Sequence, residues 1–142
     1  MSQIVITVVV NVAGALAAGT PDHHIVMIDD NKAAGSLHEA TDRLHTAVRE
    51  GDTLVWVVTS LECETYAAIT ALSVPDDVCE VRRETYPDTA VTYWVGIVKK
   101  AVTAPVPYGL TFALGSSLYT LSTSPNCALI EAQPIVVSEA AE

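Results

Sequence analysis

Gln3-Ile4-Val5-Ile6-Thr7-Val8-Val9-Val10-Asn11-Val12 decides the fold class. Ile4, Ile6, Val8, Val10 and Val12 fill one set of alternating positions, all apolar. Gln3, Val5, Thr7, Val9 and Asn11 fill the other, which is mixed. Period-two order in β-branched residues is the pattern of a strand beside a core. The same stretch extended to Ala18 is the one candidate for a targeting signal. No side-chain cation precedes it, Thr7 and Asn11 interrupt it, and it is too short for the ~20 apolar residues of a membrane helix. It reads as the first strand of a soluble, intracellular protein.

Working outward, short apolar runs recur about every ten residues, separated by turn residues. Gly14 to Gly19 reads as a flexible connector and His24 to Ile28 as a strand stopped by Asp29-Asp30-Asn31. Residues 37–48 fit two templates. Leu37, Thr41, Leu44 and Val48 are spaced like a helix face, whereas Leu44, Thr46 and Val48 alternate like a strand. The tight turn Glu50-Gly51-Asp52 and the β-branched run around Trp56 favour a hairpin there. Further strands are expected over Thr65–Val74, Val78–Thr85, Ala90–Val98, Tyr108–Leu114, Leu118–Ser122 and Ala128–Val137, with a stiff proline connector at Ala104-Pro105-Val106-Pro107. The sum is an all-β, single-domain β-sandwich of seven to nine antiparallel strands, Ig-like or jelly-roll-like, over residues 1–137, with an acidic tail at 138–142.

Composition narrows function. The 142 residues are 50% hydrophobic and 17% charged, which excludes disorder. Seven Lys and Arg stand against 17 Asp and Glu, a formal charge of −10. Such a chain repels nucleic acid and has no polybasic run for anionic lipid. So few cations leave sheet edges poorly guarded, which favours a homo-oligomer that buries an edge. Cys63, Cys79 and Cys127 are an odd number at wide spacings and read as buried thiols rather than a disulfide framework.

The densest ligand cluster is His23-His24 with Asp22, Asp29, Asp30, His38, Glu39 and His45. Imidazole and carboxylate bind divalent metals, so Asp22, His23, His24 and His38 are the candidate ligands. Their spacing matches no zinc motif, adjacent histidines of a strand point to opposite faces, and a hydrated loop rim is the commoner outcome. A type 1 copper site fails, since no His or Met follows Cys127. Glu62, Glu64, Asp76, Asp77 and Glu80 raise a glycosidase reading, but acids at turns are more often solvated. No nucleophile elbow, P-loop or dinucleotide fingerprint is present. No catalytic residue and no cofactor is assigned. Trp56, Trp94, Tyr93 and Tyr108 could stack on sugar faces, but tryptophans in the middle of apolar strands are more often core residues. Tyr66, Tyr86 and Tyr119 are the candidates for exposed contact, including with a protein or carbohydrate partner.

The order of elements carries one family resemblance. A valine-rich strand leads to Gly14-Ala15-Leu16-Ala17, then to an apolar strand ending in Asp29-Asp30-Asn31. Gly35-Ser36, Leu44-His45-Thr46-Ala47-Val48 and Gly51-Asp52-Thr53-Leu54-Val55-Trp56 follow, then a proline-flanked connector and a C-terminal hairpin. Over residues 4–137 this is similar to the bacterial AidA/PixA inclusion-body protein family. The resemblance implies a β-sandwich without catalytic activity, from small cytoplasmic proteins that accumulate to high levels, sometimes as inclusions, and are linked to host association or quorum sensing. It transfers no functional residues.

Overall fold

The computed structural model describes residues 2–62 and 65–133. The tail at 138–142, the end of the expected last strand and Cys63 lie outside them. Ten strands form in chain order: β1 (Gln3–Val10), β2 (Ile25–Asp29), β3 (His45–Val48), β4 (Thr53–Ser60), β5 (Ala67–Ser73), β6 (Cys79–Thr85), β7 (Thr92–Val98), β8 (Val106–Leu114), β9 (Tyr119–Ser122) and β10 (Cys127–Glu131). One helix, α1 (Val12–Ala18), and a 3-10 turn at Lys32–Ala34 complete the described elements.

Sheet one has the order β2-β1-β4-β7-β6; sheet two has β3-β10-β8-β5, with β9 also paired to β8. The all-β sandwich is therefore present, with one strand more than the upper expectation. The pairing is mixed rather than wholly antiparallel, because β1 runs parallel to β4 and β3 parallel to β10. The expected hairpin over residues 37–59 does not form. β3 covers only His45–Val48 and belongs to sheet two, while β4 is the middle strand of sheet one. The turn between them switches sheets. Its Asp52, 2% exposed, accepts from Ser2 N at 3.0 Å and Arg49 N at 2.8 Å, and Gly51 N donates to Val98 O at 2.8 Å. These bonds tie the turn to the ends of β1 and β7, the strands on either side of β4, and not to a hairpin partner.

Alternation sets the core. Ile4, Ile6, Val8 and Val10 of β1, Leu54 and Trp56 of β4, and Ile25 and Met27 of β2 face Tyr108, Leu110, Phe112 and Leu114 of β8 and Leu129 of β10. Trp56, fully buried, donates its ring N–H to the Tyr108 hydroxyl at 3.3 Å with the rings edge to face. The Trp56 core reading holds. Trp94 is half-buried and caps Ile69 O of β5 at 2.7 Å. Beside it, a register shift between Ile69 and Ala71 breaks the expected alternation of β5, so Thr70 and Ala71 are both exposed.

The connector expected at Gly14–Gly19 is instead α1. Asn11 Oδ1 accepts from Gly14 N at 3.0 Å as the N-cap, and Gly19, with φ 76°, closes the C-terminus. Glu62 completes the cap from 50 positions away, accepting from Val12 N at 3.0 Å and Ala13 N at 2.8 Å.

Candidate functional site

The outer face of sheet one is built by the residues that alternate with the core. β1 places Val5, Thr7 and Val9 there, and each is aligned with a residue of β4: Val55, Val57 and Thr59. On one side Thr7 and Val9 neighbour Ile28 and Val26 of β2. On the other, Thr53 and Val55 neighbour Ile97 and Val95 of β7, with Tyr93 next along that strand. The column on β6 is charged: Glu80, Arg82 and Glu84 lie beside Ile97, Val95 and Tyr93. The face is thus a slab of eight Val and Ile side chains with threonines and one tyrosine between them, and charge only at its β6 margin and at Asp30. Ile28 is 44% exposed, Ile97 43% and Val26 39%, and the remaining aliphatics are half-buried. Soluble monomers rarely present so continuous an apolar surface, and such surfaces mark contact sites.

Both ends of that face are finished differently. β6 ends sheet one with charges, and Arg82 pairs with Glu84. The β2 edge and the β3 edge of sheet two are both covered by residues 30–44, through backbone bonds from Ala40 and Thr41 to Met27 and from Leu37 to His45. Charge therefore finishes β6, and a backbone segment finishes β2 and β3.

The candidate metal ligands are dispersed into separate roles. Asp22 accepts from Ser124 N at 3.0 Å and Ser124 Oγ at 2.7 Å. His23, at φ 69°, lies 3.6 Å from Asp42, which also accepts its backbone N–H at 2.9 Å. The His24 carbonyl accepts from Asn11 N at 2.8 Å. His38 meets the His45 ring edge-on at 4.9 Å, and burial first, then His38, holds the His45 imidazole below its usual pKa. Among the described residues, no group of three or more His, Cys, Asp or Glu is gathered to hold a metal ion.

The acids of the glycosidase reading also separate. Glu62 caps α1, its pKa depressed by the Ala13 and Val12 N–H groups, while Asp77 pairs with Lys100 at 2.9 Å. Glu64 lies outside the described residues. Cys79 and Cys127 are free, buried thiols, pushed up to about 11 and about 12 by burial. Tyr66, Tyr86 and Tyr119 are 47–60% exposed, as their positions predict. Tyr66 borders a depression of about 360 Å³ with Ser60, Val91 and Thr92. No helix among the described residues is long and apolar enough to cross a membrane.

Sequence reasoning missed the sheet-one face as a site. Its signal was present in β1, where Val5 and Val9 make the second set of positions apolar too. A strand apolar on both sides is ordinarily covered on both.

A family model described as "Domain of unknown function (DUF8788)" matches residues 2–119. No curated protein matches the sequence. Among solved structures, the crystal structure of an inclusion body protein, PixA, from Burkholderia cenocepacia J2315 is similar in fold, with a TM-score of 0.73 and 15% identity. The match covers 94% of this chain and 95% of that one. The AidA/PixA resemblance thus holds at the level of the fold.

Proposed function

The chain belongs to the family described as a domain of unknown function, DUF8788, and we propose that it is a non-enzymatic, cytoplasmic β-sandwich protein that works by associating with copies of itself. The open aliphatic face of sheet one carries this reading, and the fold shared with an inclusion body protein supports it. The four strands β2, β1, β4 and β7 at about 4.8 Å spacing and four side-chain rows at about 6.8 Å give a slab of roughly 500–600 Å². Two such slabs stacked face to face bury about 1,000–1,200 Å², the lower range of specific interfaces. Stacked sheets are an ordinary packing mode, about 10 Å apart, and a two-fold pair is the commonest closed assembly.

Sedimentation equilibrium tests the reading. The wild type is expected at multiples of 15.0 kDa in the micromolar range. Val55→Lys, on the middle strand, is expected to weaken association at least a hundredfold with an unchanged melting temperature, because Val55 is half-exposed in one copy. A wild type that stays at 15.0 kDa at high concentration overturns it. A second reading, a small-ligand or carbohydrate site, is favoured only by the depression beside Tyr66, and a silent glycan array would remove it.

A further inference from the structure

Residues 30–44 cross from β2 to β3 and lie along the outer edge of both sheets. On β2, Ala40 N donates to Met27 O at 2.8 Å and Met27 N donates to Thr41 O at 2.9 Å. On β3, Leu37 and His45 exchange both backbone bonds at 2.9 Å, and Ala47 N donates to Ser36 Oγ at 2.9 Å. Open strand edges recruit other chains, and this one strap closes two of them. The strap is not relaxed: His38 has φ 64° and Ala40 φ 62°, left-handed conformations unfavourable for residues with a Cβ. Side-chain bonds must therefore help hold it down.

Glu39 sits between these two strained residues. Its Oε1 accepts from Asp29 N at 3.0 Å, and Asp29 Oδ1 accepts from Asn31 N at 3.0 Å. That leaves Asp29 Oδ2 and Glu39 Oε2, both sealed from water and both without a donor. Asp29 is 7% exposed, and the Glu39 carboxyl lies against it through the 3.0 Å bond from Asp29 N. Two ionised carboxylates so placed repel, whereas one proton between them gives each orphaned oxygen a partner. We propose that Asp29 and Glu39 share a single proton, and that this O–H···O bond is the catch that keeps the strap on the edges of both sheets.

The surroundings favour the proton. Ile6 of β1 stands opposite Asp29 and is apolar. Asp30, next along the chain, is committed to Val5 N at 3.0 Å. β8 contributes Tyr108, which burial keeps protonated. The 3-10 turn contributes Lys32, which opposes protonation of Glu39 only weakly. Burial first, then the Asp29 side chain, raise the Glu39 pKa. A carboxyl with a raised pKa in the folded state stabilises at low pH, and that stability is lost as pH rises through the folded value. The catch therefore holds in acid and releases toward alkaline pH. On the same strap His38 meets the His45 ring edge-on, and burial first, then His38, lowers the His45 pKa.

Amide exchange protection of Met27, Ala40 and His45, followed from about pH 5 to about pH 9, tests this. In the wild type the three protection factors are expected to fall together by at least tenfold toward the alkaline end. Glu39→Gln replaces the shared proton with a permanent N–H donor, so its protection should stay level; Asp29→Asn provides the same donor from the other side. Wild-type protection that does not change, or that falls equally in both amide variants, overturns the proposal. Should both variants fail to fold, the wild-type infrared spectrum decides. A protonated carboxyl band that fades on raising pH supports the catch, and its absence sinks it. These amides report on the strap whether or not the sheet-one face pairs copies.

Discussion

Replacing Gly96 with alanine adds one methyl group to β7 at a point closed on three sides. The new Cβ would lie 2.7 Å from Cys79 Sγ, 2.9 Å from Trp56 Cζ3 and 3.1 Å from Val81 Cγ1. Ordinary carbon contacts are about 3.5–4.0 Å, so neighbours must retreat by roughly half an ångström or more. Trp56 cannot do so freely, because it is fully buried and tied to the Tyr108 hydroxyl at 3.3 Å. Overpacking of this kind costs about 1–3 kcal/mol. The lower chain entropy of alanine offsets about 0.4–1 kcal/mol, since Gly96 has no positive φ to be strained. The expected net loss is about 1–2 kcal/mol, a melting temperature lower by roughly 3–7 °C. Urea unfolding followed by tryptophan fluorescence and a thermal scan measure it. Adding Cys79→Ala removes the nearest atom, so the double variant should lose less than the sum of the singles, by about 0.5 kcal/mol or more. A Gly96→Ala protein as stable as the wild type would refute the packing argument.

Glu62→Gln should lower the melting temperature at neutral pH by weakening the cap on Val12 and Ala13. Because the Glu62 pKa is depressed in the folded state, its contribution exists above the ordinary carboxylate range and is lost as pH falls through the folded value. The gap between wild type and variant should therefore close in acid; a gap constant with pH would show that charge is not the cause. Salt separates apolar association from ionic association. Each copy carries −10, so raising the ionic strength from about 0.05 M to about 0.5 M should tighten association about tenfold by screening repulsion. Weaker association at high salt, read by sedimentation, would point to charge pairing in place of the sheet-one face.

The strand pattern was legible wherever burial alone dictates it. Ile4, Ile6 and Val8 alternate because one side of β1 meets the core, and Trp56 follows from the valine on each side of it. What escaped depends on distant partners. Asn11 is a good N-cap residue, yet the valines before it and Gly14 within α1 mask a seven-residue helix. Its second cap, Glu62, is invisible locally. The Gly51-Asp52 turn has hairpin chemistry, but Asp52 bonds Ser2 and Arg49 and sends the chain into the other sheet. The histidine cluster illustrates the same limit for sites. Asp22 and His23 are adjacent in sequence, yet one fastens Ser124 and the other touches Asp42. The apolar sheet-one face is the opposite case, since Val5, Val9, Val55 and Val57 announce it without announcing that it is left open.

The two parallel pairings govern the order of events in synthesis. β1 emerges first but waits for β4, about a third of the chain later, and β3 waits for β10, more than half of the chain later. Such distant closures give a high contact order and slow folding. While β10 is still unmade, Leu44 and Val48 have no strand beside them, and the valines of β1 and β4 are already present in the nascent polypeptide. The window between translation and completion is then the period of greatest stickiness, and crowding of many unfinished copies at one site would gather them before any has closed.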